Sequence, residues 1–441
     1  MAEGLAQKPH EHYLADLARQ SPNGAPEWLK RVRAQGAALF QETEFPHVRM
    51  EEWRQTNIAD LGKTPFRATT AAQAEKTAGI DASRFLYSPE DWCELVFVDG
   101  FYAAGLSRPV TLAKGVVAGS LYAAAKGDEA AVVEQHLGKY LGGRNAFTAL
   151  NAAYTADGAF LHVPKNTAEA TPIHFVFIST GNEADRAQHV RNLFVIDESS
   201  EATVVVSYVA LGDARYLTNC VEEIALAPNA QLKHYKVAEE GAAGNHLATT
   251  EVHHQRDSRF TSFSFSLTGQ IVRNQLMVQF DGEGAECELH GLYLNDGERL
   301  LDNFLHITHA QPNCRSRIAY KGVLGEQSNT VFAGKVFVYP EAQKTDSDQL
   351  SQNLLLSDTA TIDTKPQLEI FADDVKCTHG ATVGSPPEEV IFYFRSRGID
   401  EATARGMLTY GFADEIVSEV GLDPLRARLD RYVYEKYSPK F

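Results

Sequence analysis

The middle of the chain, from about Phe147 to Val375, alternates short apolar runs with turn residues. The runs are rich in Val, Ile, Phe, Tyr and Thr, and their starts recur about every 10 to 17 residues, which is typical of successive β-strands. Most gaps between them are too short for a helix, so a βαβ fold is disfavoured. Three all-β architectures remain: a sandwich, a barrel and a solenoid of stacked turns.

Length and alternation favour the solenoid among these three. The strand-rich region has about 230 residues, which is large for one sandwich, whereas a solenoid grows by adding turns. The segment from Phe260 to Leu267 alternates strictly, with Ser and Thr on one face and mostly apolar residues on the other. This alternation predicts a strand whose polar side faces solvent. A sandwich remains the close alternative.

Both ends of the chain have helical patterns. Up to about Gly143 the sequence is mixed and mostly helical, and Pro26 begins one amphipathic segment, because a proline suits the first turn of a helix. We therefore divide the chain into a mainly helical N-terminal region, a β core and a C-terminal helical domain. Their predicted limits are 1–146, 147–384 and 385–441.

The C-terminal region contains clear helix-end signals. Ser385 is predicted to cap a helix, with Glu388 closing a capping box and Gly398 ending the helix. The next helix is predicted to begin after Asp400 and to close at Gly421. Aromatic residues in these helices either fill the core of the helical unit or form a docking face for a partner. They are Phe392, Tyr393, Phe394, Tyr410 and Phe412.

Charge and composition exclude several classes of protein. The chain has 41 basic and 58 acidic residues, and its formal net charge of −17 disfavours binding to nucleic acid or to anionic lipid. A membrane span needs about 18 consecutive apolar residues, and no stretch of the sequence approaches that length. The segment from Met1 to Gln20 does not have the pattern of an export signal. Five widely spaced cysteines without a Cys-x-x-Cys pair fit free thiols. We therefore expect a globular protein of the cytoplasm.

Cys377 and His379 form the most reactive-looking pair in the sequence. Residues two apart on a strand point the same way, so the thiol and the imidazole would share a face. Both groups are metal ligands, and a thiolate is also a nucleophile. The pair supplies two ligands where a closed zinc site needs about four. A half-buried cysteine beside a hydrogen-bonded histidine is therefore the alternative interpretation.

Other chemical motifs are weak or missing. Most of the 15 histidines lie between His162 and His379, which makes a metal-handling surface conceivable. They have no H-x-x-x-H spacing, so surface positions and hydrogen-bonded core positions explain most of them better. The chain also lacks a phosphate-binding loop, a nucleophile elbow and a dinucleotide fingerprint. We do not expect it to hydrolyse ATP.

Four stretches carry a resemblance to a known family. They are VKCTHGATVG at 375–384, FYFRSRGI at 392–399, FPHVRMEEWRQT at 45–56, and FTALN at 147–151 followed by LHVP at 161–164. Together they resemble the SufB/SufD family of iron–sulfur cluster assembly proteins over most of the chain. The Cys-Thr-His-Gly-Ala and Arg-Ser-Arg-Gly sequences are closer to the SufD branch than to the SufB branch.

The resemblance implies a fold and a function. The expected fold is mainly β, a right-handed parallel β-helix (a solenoid) flanked by helical N-terminal and C-terminal parts. The expected function is that of a non-catalytic scaffold subunit of the SufBCD complex, which supports iron acquisition and cluster assembly. Such a subunit pairs with a SufB-type subunit through the ends of the β-helices and binds a SufC-type ATPase through its C-terminal helices. A homodimer of the isolated chain is an alternative assembly.

The resemblance also assigns roles to residues. His379 is the candidate metal or cluster ligand at the SufB–SufD junction, and Cys377 beside it is the weaker candidate. No cofactor is expected to be held stably by the chain alone; iron or an iron–sulfur cluster would bind transiently at that interface, and FAD is a further candidate in the complex. The expected SufC-docking residues are Pro386, Glu389, Phe392, Tyr393, Arg395, Arg397, Gly398, Ile399 and Phe412.

Two other functions compete with this hypothesis. A metal-dependent, carbohydrate-active lyase is the alternative from the enzyme class, because β-helices often host such chemistry. That function needs clustered acids or a basic groove on one face, for which the sequence offers no obvious candidate. A SufB-like primary scaffold would instead hold a cluster without any partner.

Overall fold

The strands of the central region wind into a parallel β-solenoid. The computed structural model describes residues 10–19, 25–71, 77, 79–88, 90–140 and 145–438. From β5 onward, successive strands enter two sheets alternately, so each of about eight turns adds one strand to either sheet. Stacked strands pair in parallel and nearly always in continuous register, as between β11 and β13. The predicted solenoid is thereby confirmed over the sandwich and the barrel.

The two sheets have ten strands each. We call them the odd sheet and the even sheet after the strands that each receives from β5 onward. The order in the odd sheet is β19-β17-β15-β13-β11-β9-β7-β5-β4, with β1 beside β7. The order in the even sheet is β20-β18-β16-β14-β12-β10-β8-β6-β2-β3. The strands are β1 (Arg67–Ala68), β2 (Cys93–Val98), β3 (Phe101–Tyr102), β4 (Val117–Ser120), β5 (Ala159–Val163), β6 (Ile173–Ser179), β7 (Arg186–Ile196), β8 (Glu201–Ala210), β9 (Tyr216–Leu226), β10 (Gln231–Glu239), β11 (Gly244–His254), β12 (Arg259–Thr268), β13 (Ile271–Phe280), β14 (Glu286–Asn295), β15 (Leu300–His309), β16 (Arg315–Leu324), β17 (Asn329–Val338), β18 (Asp346–Leu355), β19 (Thr361–Ile370) and β20 (Lys376–Gly384).

One corner of the solenoid repeats the same backbone conformation. From β9 to β18, each connection from an odd strand to the next even strand contains one residue with a positive φ, at Asn229 (61°), Asp257 (56°), Gly284 (71°), Asn313 (62°) and Lys344 (59°). Asn, Asp and Gly enter this left-handed region more readily than other residues. The turn residues that separated the apolar runs in the sequence therefore mark the corners of successive turns.

The faces of β12 are the reverse of the sequence-based prediction. Ser262 and Ser266 are buried inside the solenoid, where they contact His234 and Asn274. Phe263 and Phe265 lie on the outer face of the sheet and pack in one cluster with the C-terminal helices. The prediction of a solvent-facing polar side was wrong, because another element covers the apolar face and the interior itself contains polar groups.

The helices cover the outer faces of the two sheets. N-terminal helices pack on the odd sheet at Ala187, Leu217 and Leu247, and C-terminal helices pack on the even sheet. The α-helices are α1 (His10–Leu17), α2 (Glu27–Glu42), α3 (Ala59–Lys63), α4 (Leu121–Ala124), α5 (Ala130–His136), α6 (Ala146–Tyr154), α7 (Glu388–Ser396), α8 (Glu401–Val417) and α9 (Asp423–Tyr437). Short 3₁₀ helices lie at Glu51–Trp53, Ser83–Phe85 and Ala104–Leu106. Within the described residues, no helix combines the length and apolarity that crossing a bilayer requires.

The region before residue 147 is less purely helical than predicted. It contributes β1 to β4 to the two sheets, and β2 pairs in parallel with β6 while β4 runs antiparallel to β5. These strands extend both sheets at the N-terminal end of the solenoid. At the C-terminal end, no described strand pairs with the outer edge of β19 or β20.

Two helix-end predictions in the C-terminal region were wrong. Pro387, rather than Ser385, is the residue before α7, no side chain caps this helix, and Glu388 is its first residue. α8 ends at Val417 instead of at Gly421. The other signals were correct: Gly398 follows α7 with a φ of 86°, and the Asp400 side chain accepts a hydrogen bond from the Thr403 backbone N–H.

Candidate functional site

Cys377 and His379 lie on β20, the last strand of the solenoid. Their register partners on β18 are Ser347 and Gln349, which are both buried inside the solenoid. Cys377 and His379 therefore share the inner face of the final turn, as their spacing predicted. Because no described strand covers this turn, His379 is exposed and Cys377 is half-buried.

The thiol of Cys377 is in a mixed environment. Burial raises the pKa of Cys377, the backbone N–H of Ser347 opposes that rise, and the nearby Asp346 carboxylate adds to it. The neighbouring Lys376 has the opposite strand parity, so its exposed side chain does not share the face of the thiol. The thiol is therefore accessible but is not activated by a cation on its own face.

A polar ladder continues inward from Cys377. Ser347 accepts a hydrogen bond of 2.8 Å from Ser316, whose hydroxyl is 2.9 Å from Nε2 of His309. All three side chains are buried. Sequence reasoning missed this ladder, because Cys377, Ser347 and Ser316 are about 30 positions apart and only the register brings them together.

The chain supplies few metal ligands in any one place. Among the described residues, no group of three or more His, Cys, Asp or Glu side chains is arranged to hold a metal ion. His379 and Cys377 remain a pair without a third ligand of these types. A metal at this position needs further ligands from water or from another molecule.

Most histidines of the solenoid are buried. Burial lowers the pKa of His189, His254 and His309 to about 3, so these imidazoles are neutral at pH 7. His174 is fully buried, with its ring nitrogens 3.1 Å from Glu94 and 2.8 Å from Ser207. These contacts agree with the prediction that most histidines are structural.

The predicted docking residues lie mainly on and just after α7. In α7 only Ile391 is buried, whereas Phe392 is 72% exposed and Tyr393 is 57% exposed. The helix thus presents two large aromatic rings to solvent. Four other predicted docking residues are exposed, Ile399 is half-buried, and Pro386 is buried. The four exposed residues are Glu389, Arg395, Arg397 and Gly398.

Phe412 differs from the other docking candidates. Its ring is half-buried, and the Lys321 ammonium of β16 lies 4.4 Å from the ring centroid. Lys321 also donates a hydrogen bond to Glu415 on the same helix. Phe412 therefore holds α8 on the solenoid instead of presenting its ring to solvent.

Comparison with known proteins identifies the family. The chain matches the SufBD core domain of the SUF system for iron–sulfur cluster assembly over residues 177–412, and the SufBD protein N-terminal region over residues 12–175. A SufBD family protein of Synechocystis sp. is 31% identical over 98% of both chains. The iron–sulfur cluster assembly protein SufD of Escherichia coli is 29% identical over 96% of this chain and 94% of its own.

A plant protein is similar as well. The chloroplastic protein ABCI7 of Arabidopsis thaliana is 29% identical over 92% of this chain and 85% of its own. The core match alone spans more than half of the 441 residues, and it includes the strands that form the candidate site. The chain belongs to the SufBD family of iron–sulfur cluster assembly proteins.

Proposed function

We propose that this protein is the SufD-type subunit of a SufBCD complex, a scaffold without catalytic turnover that supports iron acquisition and cluster assembly. The observation that carries the proposal is the position of His379, exposed on a strand whose outer edge has no described partner. An unpaired edge is a template for pairing with another chain. A partner joined there would bring its own ligands next to His379.

The residues around the open end support pairing with another solenoid, which we propose to be a SufB-type subunit. Several large apolar side chains are exposed on the last turns and their corners. They are Tyr339, Leu350, Leu356, Ile370, Phe371 and Val383. Burying such a patch against a similar end is favourable, at about 25 cal/mol per Å² of apolar surface. A homodimer through the same end is the alternative for the isolated chain.

The two open strands differ in their suitability for pairing. β19 contains Pro366, which has no N–H to donate and is tolerated in sheets mainly at edges. β20 has no proline along its whole length. We therefore expect β20, which carries His379 and Cys377, to be the strand at the subunit junction.

α7 is the proposed docking element for a SufC-type ATPase. Exposed aromatic rings at adjacent positions, flanked by Arg395 and Arg397, combine an apolar anchor with a polar rim. α8 follows α7 directly, and two side-chain contacts fix this part of the chain to the solenoid. Lys321 of β16 pairs with Glu415 of α8, and His290 of β14 lies 3.0 Å from Glu419, which follows α8. A force on α7 would therefore be transmitted to the sheet that ends in β20.

This connection suggests how ATP bound elsewhere acts on the site. Nucleotide-driven association of two ATPase subunits would draw the two C-terminal helical domains together. The resulting strain would reach the junction through α8 and reshape the surroundings of His379. Such a coupling requires that the two states of the junction differ in their contacts.

Iron or a nascent cluster is the proposed cargo. A neutral imidazole binds Fe(II) and is displaced when the cluster leaves. We propose that the cargo binds transiently at the junction and that FAD is a further candidate cofactor of the complex. The acidic charge makes nucleic acid and anionic membranes poor partners. All five cysteines are free thiols, which fits a reducing compartment, and we propose a cytoplasmic location. No contact in the described residues favours the lyase alternative.

Co-purification tests the assembly. The chain is co-expressed with SufB-type and SufC-type subunits, and the complex is examined by native mass spectrometry. We expect one copy of this chain, one SufB-type subunit and two ATPase subunits. A chain that stays alone or pairs only with itself in the presence of both partners would contradict the proposal.

A further inference from the structure

Gln349 is a buried amide without a described partner. The residue lies on β18, is 1% exposed, and neither Nε2 nor Oε1 has a hydrogen-bond partner within the described part of the chain. A buried polar atom that makes no hydrogen bond is destabilising, and most native side chains avoid this state. A carboxamide with both ends unpaired therefore indicates a group that binds something else.

The local structure makes room for this carboxamide. Gln349 reaches across the interior towards Gly334 on β17, and a Cβ at position 334 would overlap the amide. The adjacent polar residues on the same face do not pair with it. Ser347 is bonded to Ser316, and Asn353 donates to Ser351 at 3.2 Å. The side chain of Gln349 thus fits beside Gly334, where its amide forms no hydrogen bond with any described residue.

The residue with the unpaired carboxamide is the strand neighbour of His379 in the candidate site. Gln349 and His379 are register partners on adjacent parallel strands and have the same inward parity. Thr364 of β19 also faces this last turn, and its buried Oγ1 has no partner among the described residues. Adjacent strands are about 4.8 Å apart, so Gln349 and His379 lie in neighbouring layers of the solenoid interior.

We infer that Gln349 is a positioning residue for the iron that His379 receives, and that its carboxamide binds a water molecule carried by that ion. The inference rests on the proposed function. A metal-bound water donates to an amide oxygen, and the amide nitrogen supplies a donor for a second oxygen or sulfur ligand. Because the amide is neutral, it orients the cargo without adding a charge that would retain it.

The test measures Co(II) binding, as a spectroscopic substitute for Fe(II), by the full-length chain alone and in complex with its SufB-type partner. Gln349→Met keeps the approximate volume and removes both unpaired polar atoms. We expect the affinity for Co(II) to fall about 10- to 100-fold, with a changed visible absorption spectrum. The melting temperature should stay the same or rise, because no hydrogen bond within the chain is lost.

Two further variants make the result specific. Gln349→Asn keeps a shorter carboxamide and should retain part of the affinity. Gln188→Met is the matched control, because Gln188 is also a buried interior glutamine, but its Nε2 donates to Thr218 at 2.8 Å. That control should lower the melting temperature and leave Co(II) binding unchanged.

Measuring His379→Ala in parallel separates the inference from the proposed function. If wild-type protein binds Co(II) in a manner that depends on His379, and Gln349→Met binds it equally well with the same spectrum, the inference is wrong and the proposed function stands. If binding does not depend on His379 at all, both are wrong.

Discussion

The guanidinium of Arg273 lies 3.9 Å from the centroid of the Trp53 ring. Arg273, on β13, also forms an ion pair with Asp302 on β15, and donates to the backbone carbonyl of Glu52 at 2.9 Å. Thr56 donates to the same Asp302 carboxylate. The segment from Glu51 to Thr56, within the FPHVRMEEWRQT stretch, is thus an anchor that fixes the N-terminal region to the odd sheet.

Breaking this anchor should be costly. Asp302→Asn would leave a buried guanidinium without its counter-ion, and we expect the free energy of unfolding to fall by about 3–5 kcal/mol. Urea unfolding followed by circular dichroism measures the loss. Asp60→Asn is the control, because Asp60 is exposed and its pair with Lys63 is on the surface. A loss no larger than that of the control would show that the buried pair is unimportant.

His253 should make stability depend on pH. Burial disfavours the charged imidazole, but Asp281 and Glu251 outweigh that effect and raise the pKa of His253 to about 9. The ring also contacts Tyr140, whose pKa of about 12 keeps it neutral in this range. A raised pKa stabilises the fold fully below about pH 6.5, and this contribution is lost as the pH rises through 9.

The variant His253→Gln should remove that contribution. We expect it to be less stable than wild type by about 1–3 kcal/mol at pH 6.5, after allowance for solvent screening, and the difference to shrink towards pH 10. Chemical unfolding at a series of pH values measures it. His47→Gln is the control, because the His47 side chain is 39% exposed and lies outside the solenoid core. A difference that is constant with pH would contradict the assignment.

Cysteine labelling should single out Cys377. The other four thiols are buried, and burial raises the pKa of Cys220 to about 12 and that of Cys314 to about 11. Cys377 is half-buried at the open end. We expect the native chain to take up one equivalent of N-ethylmaleimide by mass spectrometry and Cys377→Ser to take up none. Rapid labelling of several sites in the folded chain would contradict the model of a closed interior.

The aromatic rings of α7 should determine ATPase binding. Phe392→Ser removes the most exposed large apolar side chain among the described residues, and we expect affinity for the SufC-type subunit to fall about 10- to 100-fold. Surface plasmon resonance measures it. Tyr434→Ser is the control, because Tyr434 has the same exposure as Tyr393, 57%, but belongs to α9. Equal effects of the two variants would argue against α7 as the docking element.

His379→Ala should lower the yield of clusters in cells and leave the assembly of the complex intact. Cluster yield should fall because the variant lacks the imidazole that we propose as a ligand. The complex should still assemble because His379 is exposed, so its removal opens no cavity in the core. Cluster yield is measured as iron and acid-labile sulfide in the purified complex. Lys376→Ala is the matched control, because Lys376 is exposed on the same strand but points to the other face. Normal clusters in the His379 variant would refute the ligand role.

The sequence by itself determined the strand-rich core, the helical ends and the family. Alternation and turn residues are local properties, so they predicted the strand from Phe260 to Leu267, which lies within β12. Hydropathy does not mark β18, whose fully buried side chains are Ser347, Gln349, Ser351 and Asn353. A strand whose buried face is mainly polar gives no hydropathy signal, because stacking on neighbouring strands places these side chains inside.

Only the tertiary structure decided which face of each strand is inside and which residues meet. Register pairing aligned His379 with Gln349, residues 30 positions apart that no local pattern connects. Helix packing on the even sheet likewise placed Phe263 and Phe265 of β12 outside, whereas Ser262 and Ser266 lie inside. Alternation in the sequence shows that the two faces of a strand differ in polarity. Which face is buried depends on the elements that cover it, and these elements come from distant parts of the chain.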